Sequence, residues 1–465
     1  MYYILNKNIA LRSWWLVPYA YYVKGNRNAI GLKKEEFEIL SLCDGSHDIE
    51  NSPMLERFIM MGLVKPLKYE QEEKLTYWQK KTCNNRYFPS MNWMITGKCN
   101  YNCLHCFNAK DETPLTSEFS IEEAEKLLDE AEKCGINAIT ITGGEPMLHK
   151  SFFEILEGIY SRGMYVEELN TNGHFIDAKA LERMKTIGCN PLIKISFDGL
   201  GYHDWLRNRK GAEEDALRAI RLCVSKGFRV KVQTNVHRRN ICSMLPTLEL
   251  LNSIGVEETR IIRTTEVPRW NRNASGETLE INEYFDKMLE VVSEYIKEEH
   301  CMNLDIWQFM TIYPKSKQYR LRPVECEIGK YRETIPVCRG CRGMVAIAAN
   351  GNVFPCMQMS GYFETKGIIL GNVKSEGLQK LLQSGRYLDY VCTTVGTLAA
   401  NNEACGKCKY FKHCVGGCRA IALTLTDDKF GVDLSKCLFY KSGYYEKITD
   451  KMGEWTNLSK INVSV

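Results

Sequence analysis

The chain shows no excess of one charge: 61 basic residues face 57 acidic ones, a formal +4 over 465 residues. That balance is not the footprint of a protein committed to nucleic acid or to an anionic membrane. No apolar run approaches the roughly 18 residues of a membrane span. The N-terminus, MYYILNKNIALRSWW, lacks the basic and apolar regions of a secretory signal. Internal repeats and low-complexity tracts are absent. These absences point to a cytoplasmic protein with neither membrane nor nucleic acid as partner. Histidine is scarce, with eight residues. Cysteine, by contrast, is abundant: there are twenty. In a reducing compartment they are metal ligands, catalysts or buried thiols rather than disulfides. Cys43, Cys134, Cys189, Cys223, Cys242, Cys301 and Cys392 are isolated and read as plain thiols, most of them in apolar patterns.

The chain divides by pattern. Residues 1–68 run strands (IALRSWW, YAYYVKG), then two helices, then a closing strand over 63–67, the outline of a winged-helix-like α+β domain. The second helix has Ser52 as N-cap, Pro53 at its first position and Gly62 just past its end. Residues 69–87 are polar and read as a linker or connecting helix. From 88 to 267, strands alternate with amphipathic helices. The six strands are MNWMITGKC, AITITGG, VEELNTNG, LIKISFDG, RVKVQTNV and TRIIRTT. This predicts an α/β fold, a partial (β/α)6 TIM-like barrel with its chemistry at the C-terminal ends of the strands. A bridging region, 268–337, yields one readable helix, and 338–465 is a loop-rich, cysteine-dense domain.

At the first strand end stands GKCNYNCLHC, with Cys99, Cys103 and Cys106. Three thiolates can hold three irons of a cubane cluster and leave the fourth iron open; a zinc knuckle completed by His105 is the alternative. The spacing resembles the signature of the radical S-adenosylmethionine enzymes, over about residues 90–265. The resemblance implies a four-iron cluster whose open iron is chelated by S-adenosylmethionine. Its cleavage by one electron, from a carrier such as flavodoxin or ferredoxin, gives a 5′-deoxyadenosyl radical. It also implies cofactor contacts at the other strand ends. Gly143, Gly144 and Glu145 of GGEP resemble the loop that meets the methionine ammonium, with Glu145 as acceptor. Ser196 of SFDG and Arg207 resemble the pair on the carboxylate. His105 stands beside the adenine position, and Asn172 and Asn235 are further polar contacts.

A second field reads VCRGCRGMVAIAANGNVFPC, CGKCKYFKHCVGGC and Cys437. Two zinc ribbons built on CRGC and CGKC are one reading. The intervals resemble the SPASM extension, which carries two auxiliary four-iron clusters and brings the total to three. The resemblance implies Cys338, Cys341, Cys356 and Cys418 for one cluster and Cys405, Cys408, Cys414 and Cys437 for the other. Cys326 or a substrate thiol competes with Cys338 for its place. Residues 1–68 resemble the precursor-peptide recognition element of ribosomal peptide maturases, which takes a leader peptide as an added strand. A packing module or nucleic-acid binder is the plainer reading of that domain. The expected activity is a peptide cross-link, thioether first and carbon–carbon second. A sulfatase-maturing-type enzyme, a peptide epimerase, an RNA-modifying enzyme and an iron–sulfur electron carrier are the alternatives. Glu266, Asp198 and Tyr202 are candidate acid–base residues at the barrel mouth, and VHRRN (236–240) is read as a solvated turn.

Overall fold

The computed structural model describes residues 1–106, 109–110, 113–114, 116–321, 333–338, 343–453 and 455. Cys326 and Cys341 lie outside the described residues.

The N-terminal unit contains β1 (Tyr2–Leu5), β2 (Ile9–Ser13), β3 (Ala20–Val23), β4 (Ile30–Gly31), helices Lys34–Ser41 and Pro53–Met60, and β5 (Val64–Leu67). Ser52 accepts a hydrogen bond from the Leu55 amide, so the cap and the first-turn proline sit where their chemistry places them. Strand β1 pairs with β5 over a core of Tyr3, Leu5, Leu11, Leu40, Leu55 and Phe58. The polar stretch expected to be a linker instead supplies β6 (Lys80–Thr82), parallel to β2, completing the order β4–β3–β2–β6. Lysines at every β6 position but the last hide the strand. Lys81 is nevertheless buried, its ammonium donating to the Glu132 carbonyl, and burial lowers its pKa to about 8. The unit is docked on the barrel. Trp14 donates to the Cys134 carbonyl at 3.0 Å, Asn137 to the Asn26 carbonyl at 2.7 Å, and Arg27 pairs with Glu167.

After β7 (Ser90–Thr96) comes a short hairpin, β8 (Ala109–Lys110) and β9 (Thr113–Pro114). The remaining barrel strands are β10 (Ala138–Gly143), β11 (Tyr165–Thr171), β12 (Leu192–Ser196), β13 (Val230–Val236) and β14 (Glu258–Arg263). All six pair in parallel and in chain order, as the alternation of strands and helices predicts. One face of each strand, with residues such as Trp93, Ile139, Ile141, Ile193, Ile195, Val232 and Ile261, packs in the main core with the covering helices. The opposite face carries charge in pairs: Lys194 with Glu168, Lys231 with Glu258, and Arg260 with Asp305.

The bridging region holds more than its helix (Ile281–Tyr295). It also forms β15 (Asn303–Ile306), β16 (Met310–Tyr313) and β17 (Gln318–Leu321), which extend the sheet beyond β14. At the other edge β18 (Met344–Ile347) pairs in parallel with β7, and β19 (Val353–Phe354) follows. The sheet therefore ends at β17 and β19 without closing, a partial barrel of eleven strands. Nor is the C-terminal region mainly loop: short helices such as Val395–Asn401, Glu403–Gly406, Phe411–Cys414, Arg419–Thr426 and Leu434–Lys441 fill it. Four to eight residues is too short for a helical hydrophobic period to show in sequence.

Candidate functional site

Directly after β7 the chain turns through Lys98–Cys106, a loop held by its own backbone. The Tyr101 amide lies 3.4 Å from Cys99 Sγ, Cys106 N donates to the Cys103 carbonyl, and Leu104 N to the Leu206 carbonyl. The three thiols are close enough to feel one another. Burial, with the charges of Cys103, Glu145 and Cys106, pushes the Cys99 thiol up to about 12. Crowded thiols of this kind gain most from a cationic centre that takes them as thiolates. Among the described residues no three His, Cys, Asp or Glu groups converge as ligands of one ion. In a cubane each cysteine meets a different iron, so the thiols need not converge on one ion, whereas a zinc knuckle would need His105 among them. His105 is also turned away from such a role. Its Nε2 lies 3.1 Å from Asn235 Nδ2, its Nδ1 is buried without a partner, and burial lowers its pKa to about 3. The trio thus fits an iron–sulfur cluster with an open iron.

Beneath the loop the ends of β12 and β13 and the helix His203–Arg207 form a buried polar knot. Arg207 Nε donates to Asp198 Oδ2 at 2.7 Å, His203 Nδ1 lies 3.0 Å from the same oxygen, and Asn235 N donates to Oδ1. Burial works to raise the Asp198 pKa, but Arg207 and His203 outweigh it and hold the carboxyl far below its usual range. Asp198 is therefore held as the counter-ion of Arg207 in this arrangement. The Arg207 fork is likewise in use. Besides Asp198 it reaches Cys103 Sγ, with Nη1 at 3.8 Å. Tyr202 sits on the outer side, its hydroxyl 3.5 Å from Cys242 Sγ, and Glu266 is exposed beyond β14. The three acid–base candidates do not meet in one site.

At the end of β10, GGEP is a point of close approach. A Cβ at Gly144 would stand 2.2 Å from the Lys98 carbonyl oxygen, and one at Gly143 2.5 Å from that of Thr96. The glycines let β10 lie against the root of the cysteine loop. Glu145 is not an open acceptor. It is fully buried, taking the Thr171 hydroxyl and Met147 amide on Oε1 and the Asn172 amide on Oε2. Burial raises its pKa to about 7, only partly opposed by these bonds. Asn172 donates to Asn100 Oδ1, tying β11 to the cysteine loop, while Asn100 Nδ2 is buried and unpartnered. Ser196 is half-buried at the end of β12. Asn235, Asp198, His105 and Arg207 come together in the knot; Ser196, Glu145 and Asn172 stand at the neighbouring strand ends.

Two residues of this region carry no sequence motif, His203 and His237. His237 belongs to the stretch read as a solvated turn, but only Arg238 and Arg239 are exposed. The imidazole itself is fully buried between Trp205 and Trp270, ring centroids 5.0 and 5.8 Å away, and burial lowers its pKa to about 4. The two arginines that follow it mask it in the sequence.

The C-terminal cysteines separate into two groups. Cys338, Cys356 and Cys418 act on one another electrostatically, as do Cys405, Cys408, Cys414 and Cys437. Burial pushes Cys414 and Cys418 up to about 12. Asp433 stands between the groups, its Oδ2 accepting the Cys418 amide while its Oδ1 caps the helix that carries Cys437.

Residues 93–251 match the family model described as Radical SAM superfamily, and residues 338–409 match that of SPASM, an iron–sulfur cluster-binding domain. The chain is 26% identical to an AdoMet-dependent heme synthase of Methanosarcina barkeri, over 72% of this chain and 92% of that one. It is 25% identical to a PqqA peptide cyclase of Granulibacter bethesdensis, over 72% and 83%. In structure it resembles SuiB of Streptococcus suis, solved bound to the precursor peptide SuiA: TM-score 0.66, 15% identity, 94% of this chain and 99% of that one. No helix among the described residues is long and apolar enough to cross a membrane.

Proposed function

We propose, for an enzyme that belongs to the radical S-adenosylmethionine superfamily and carries a SPASM domain, that the substrate is a ribosomally made precursor peptide and the product a cross-link in it, thioether first and carbon–carbon second. The observation that carries the reading is the reach of the structural likeness. It takes in 94% of the chain, more than the barrel and cysteine fields alone, and the protein it likens to was solved with its precursor peptide. A leader adding to the short β4 edge, where Ile30 is exposed, would be held by backbone bonds with side-chain pockets for selectivity.

Cys99, Cys103 and Cys106 would hold the cluster that takes S-adenosylmethionine. Cys338, Cys341, Cys356 and Cys418 would hold a first auxiliary cluster, and Cys405, Cys408, Cys414 and Cys437 a second. When bound, the cluster and S-adenosylmethionine supply one-electron cleavage to a carbon radical that takes a hydrogen atom from substrate. The chain's own part is placement. Gly143 and Gly144 bring backbone to the cofactor, and Asn100, Asn172 and Ser196 offer polar groups around it. Glu145 braces β10 against β11, and the paired charges inside the barrel keep its floor rigid.

The test is co-expression with short peptides encoded beside the gene, then mass spectrometry. Loss of two hydrogens from a cysteine-bearing core peptide, with the thiol no longer alkylated, is the thioether outcome. A second reading, a haem-related macrocycle as substrate, is favoured by the 26% identity to a heme synthase over 92% of that protein. Turnover of such a macrocycle with no peptide modified would establish it instead.

A further inference from the structure

The trio's cysteines do not share one environment. Cys99 meets a backbone amide, that of Tyr101. Cys103 meets the Arg207 guanidinium, whose Nη1 stands 3.8 Å from its sulfur. That guanidinium has little freedom. Its Nε is bonded to Asp198, itself fully buried and held from the other side by the Asn235 amide and by His203. A planar fork with one arm on a carboxylate and the next on a sulfur cannot turn toward one without leaving the other.

We propose that Arg207 is a positioning residue that sets the reduction potential of the trio's cluster through Cys103. The inference rests on the reading of Cys99, Cys103 and Cys106 as ligands. Reduction adds one electron, hence one negative charge, to the cluster and its thiolates. An N–H donor or a cation at a ligating sulfur stabilises the reduced form more than the oxidised one, which raises the potential. The site is dry enough for the effect to be large: Arg207 is 7% exposed and Asp198 not at all. Asp198, His203 and the Asn235 amide serve this role by fixing the guanidinium, and the strand ends and helix they join hold it at the Cys103 sulfur. This role differs from gripping the cofactor's carboxylate, because it operates before S-adenosylmethionine binds.

The experiment uses holoenzyme labelled with 15N-arginine, reduced in the absence of S-adenosylmethionine. Pulsed EPR on the reduced trio cluster should show a 15N coupling that the R207K holoenzyme lacks. Redox titration of the same signal should give a more negative potential for R207K than for the wild type, at unchanged iron content. The wild-type coupling needs no variant to fold, so its absence overturns the proposal outright. An unchanged potential in R207K also overturns it. Weaker S-adenosylmethionine binding with an unshifted potential would assign Arg207 to the cofactor instead. Failure of the underlying reading looks different: the EPR signal would then survive C103A.

Discussion

The two cysteine fields solve opposite problems. The trio comes from eight consecutive positions on one loop, rooted in β7 and pinned by β10, β11 and β12. Its surroundings are charged and hydrogen-bonded: Asp198, Arg207, His203 and Glu145 are all at least nine-tenths buried. The C-terminal cysteines are gathered from segments far apart in the chain, on short helices and turns. Their surroundings mix apolar and aromatic groups, Val337, Val395, Leu398 and Phe411 around one group and Tyr410 stacked on Tyr440 nearby, with the buried charges of Arg419, Asp433 and Lys436. On the proposed assignments, three ligands leave a coordination position that a charged cofactor can enter, and four ligands close it. The contrast can be broken at four points.

The largest effect is expected at the trio. Replacing Cys99, Cys103 and Cys106 together by Ala should abolish S-adenosylmethionine cleavage and lower bound iron by about four atoms per chain, the content of one cubane. The C-terminal clusters should keep their visible absorption. Loss of all iron would show that the fields are not independent.

The next effect separates the two C-terminal groups. Cys405→Ser should remove about four irons and leave the group of Cys356 and Cys418 loaded; Cys356→Ser should do the reverse. Cys405 lies in the small apolar cluster with Leu398 and Phe411, so its loss should also lower Tm more. If either substitution emptied both groups, the partition would be wrong. Asp433→Ala is milder and tests what joins them. It removes the helix cap and the acceptor for the Cys418 amide, a cost of about 1–2 kcal/mol. Both groups should then lose iron more readily to a chelator, at similar rates.

How much of this was legible follows from where the information sits in the chain. Strands β7 and β10–β14 were readable because each carries a β-branched, apolar pattern between helical stretches, and all but β14 run into a glycine- or asparagine-bearing end. Strands β15–β17 were not, at four residues each with no period long enough to register. Strand β6 was hidden by Lys80 and Lys81. The cysteine sets were readable because ligand spacing is local. Partners are not local. SFDG announces a carboxylate at a strand end, but not that Arg207, nine positions on, neutralises it with His203 Nδ1 beside it. GGEP announces an acidic group, but not that Thr171 and Asn172 take up its oxygens. Sequence fixed the residue types at these ends; only packing decided which were spent inside the protein.

The smallest effect, and the sharpest on the trio's side of the comparison, concerns Glu145. Its folded pKa is about 7, against 4.5 for an ordinary glutamate, because burial disfavours the charged form more than its three hydrogen bonds favour it. An acid whose pKa rises on folding binds more protons folded than unfolded between those values. Stability contributed by this group therefore falls as pH rises from about 4.5, and above about 7 the whole cost is present. At 1.36 kcal/mol per unit that cost is on the order of 3 kcal/mol. Glu145→Gln abolishes it but turns a second amide donor toward the Asn172 N–H, losing one acceptor at about 1 kcal/mol. The variant should thus be less stable than wild type near pH 5 and more stable near pH 8, so the two stability curves cross. Denaturant titrations at both pH values, with the clusters loaded, measure it. Parallel curves would mean that Glu145 is already compensated by the bound cofactor, and the brace would then belong to the cofactor site itself.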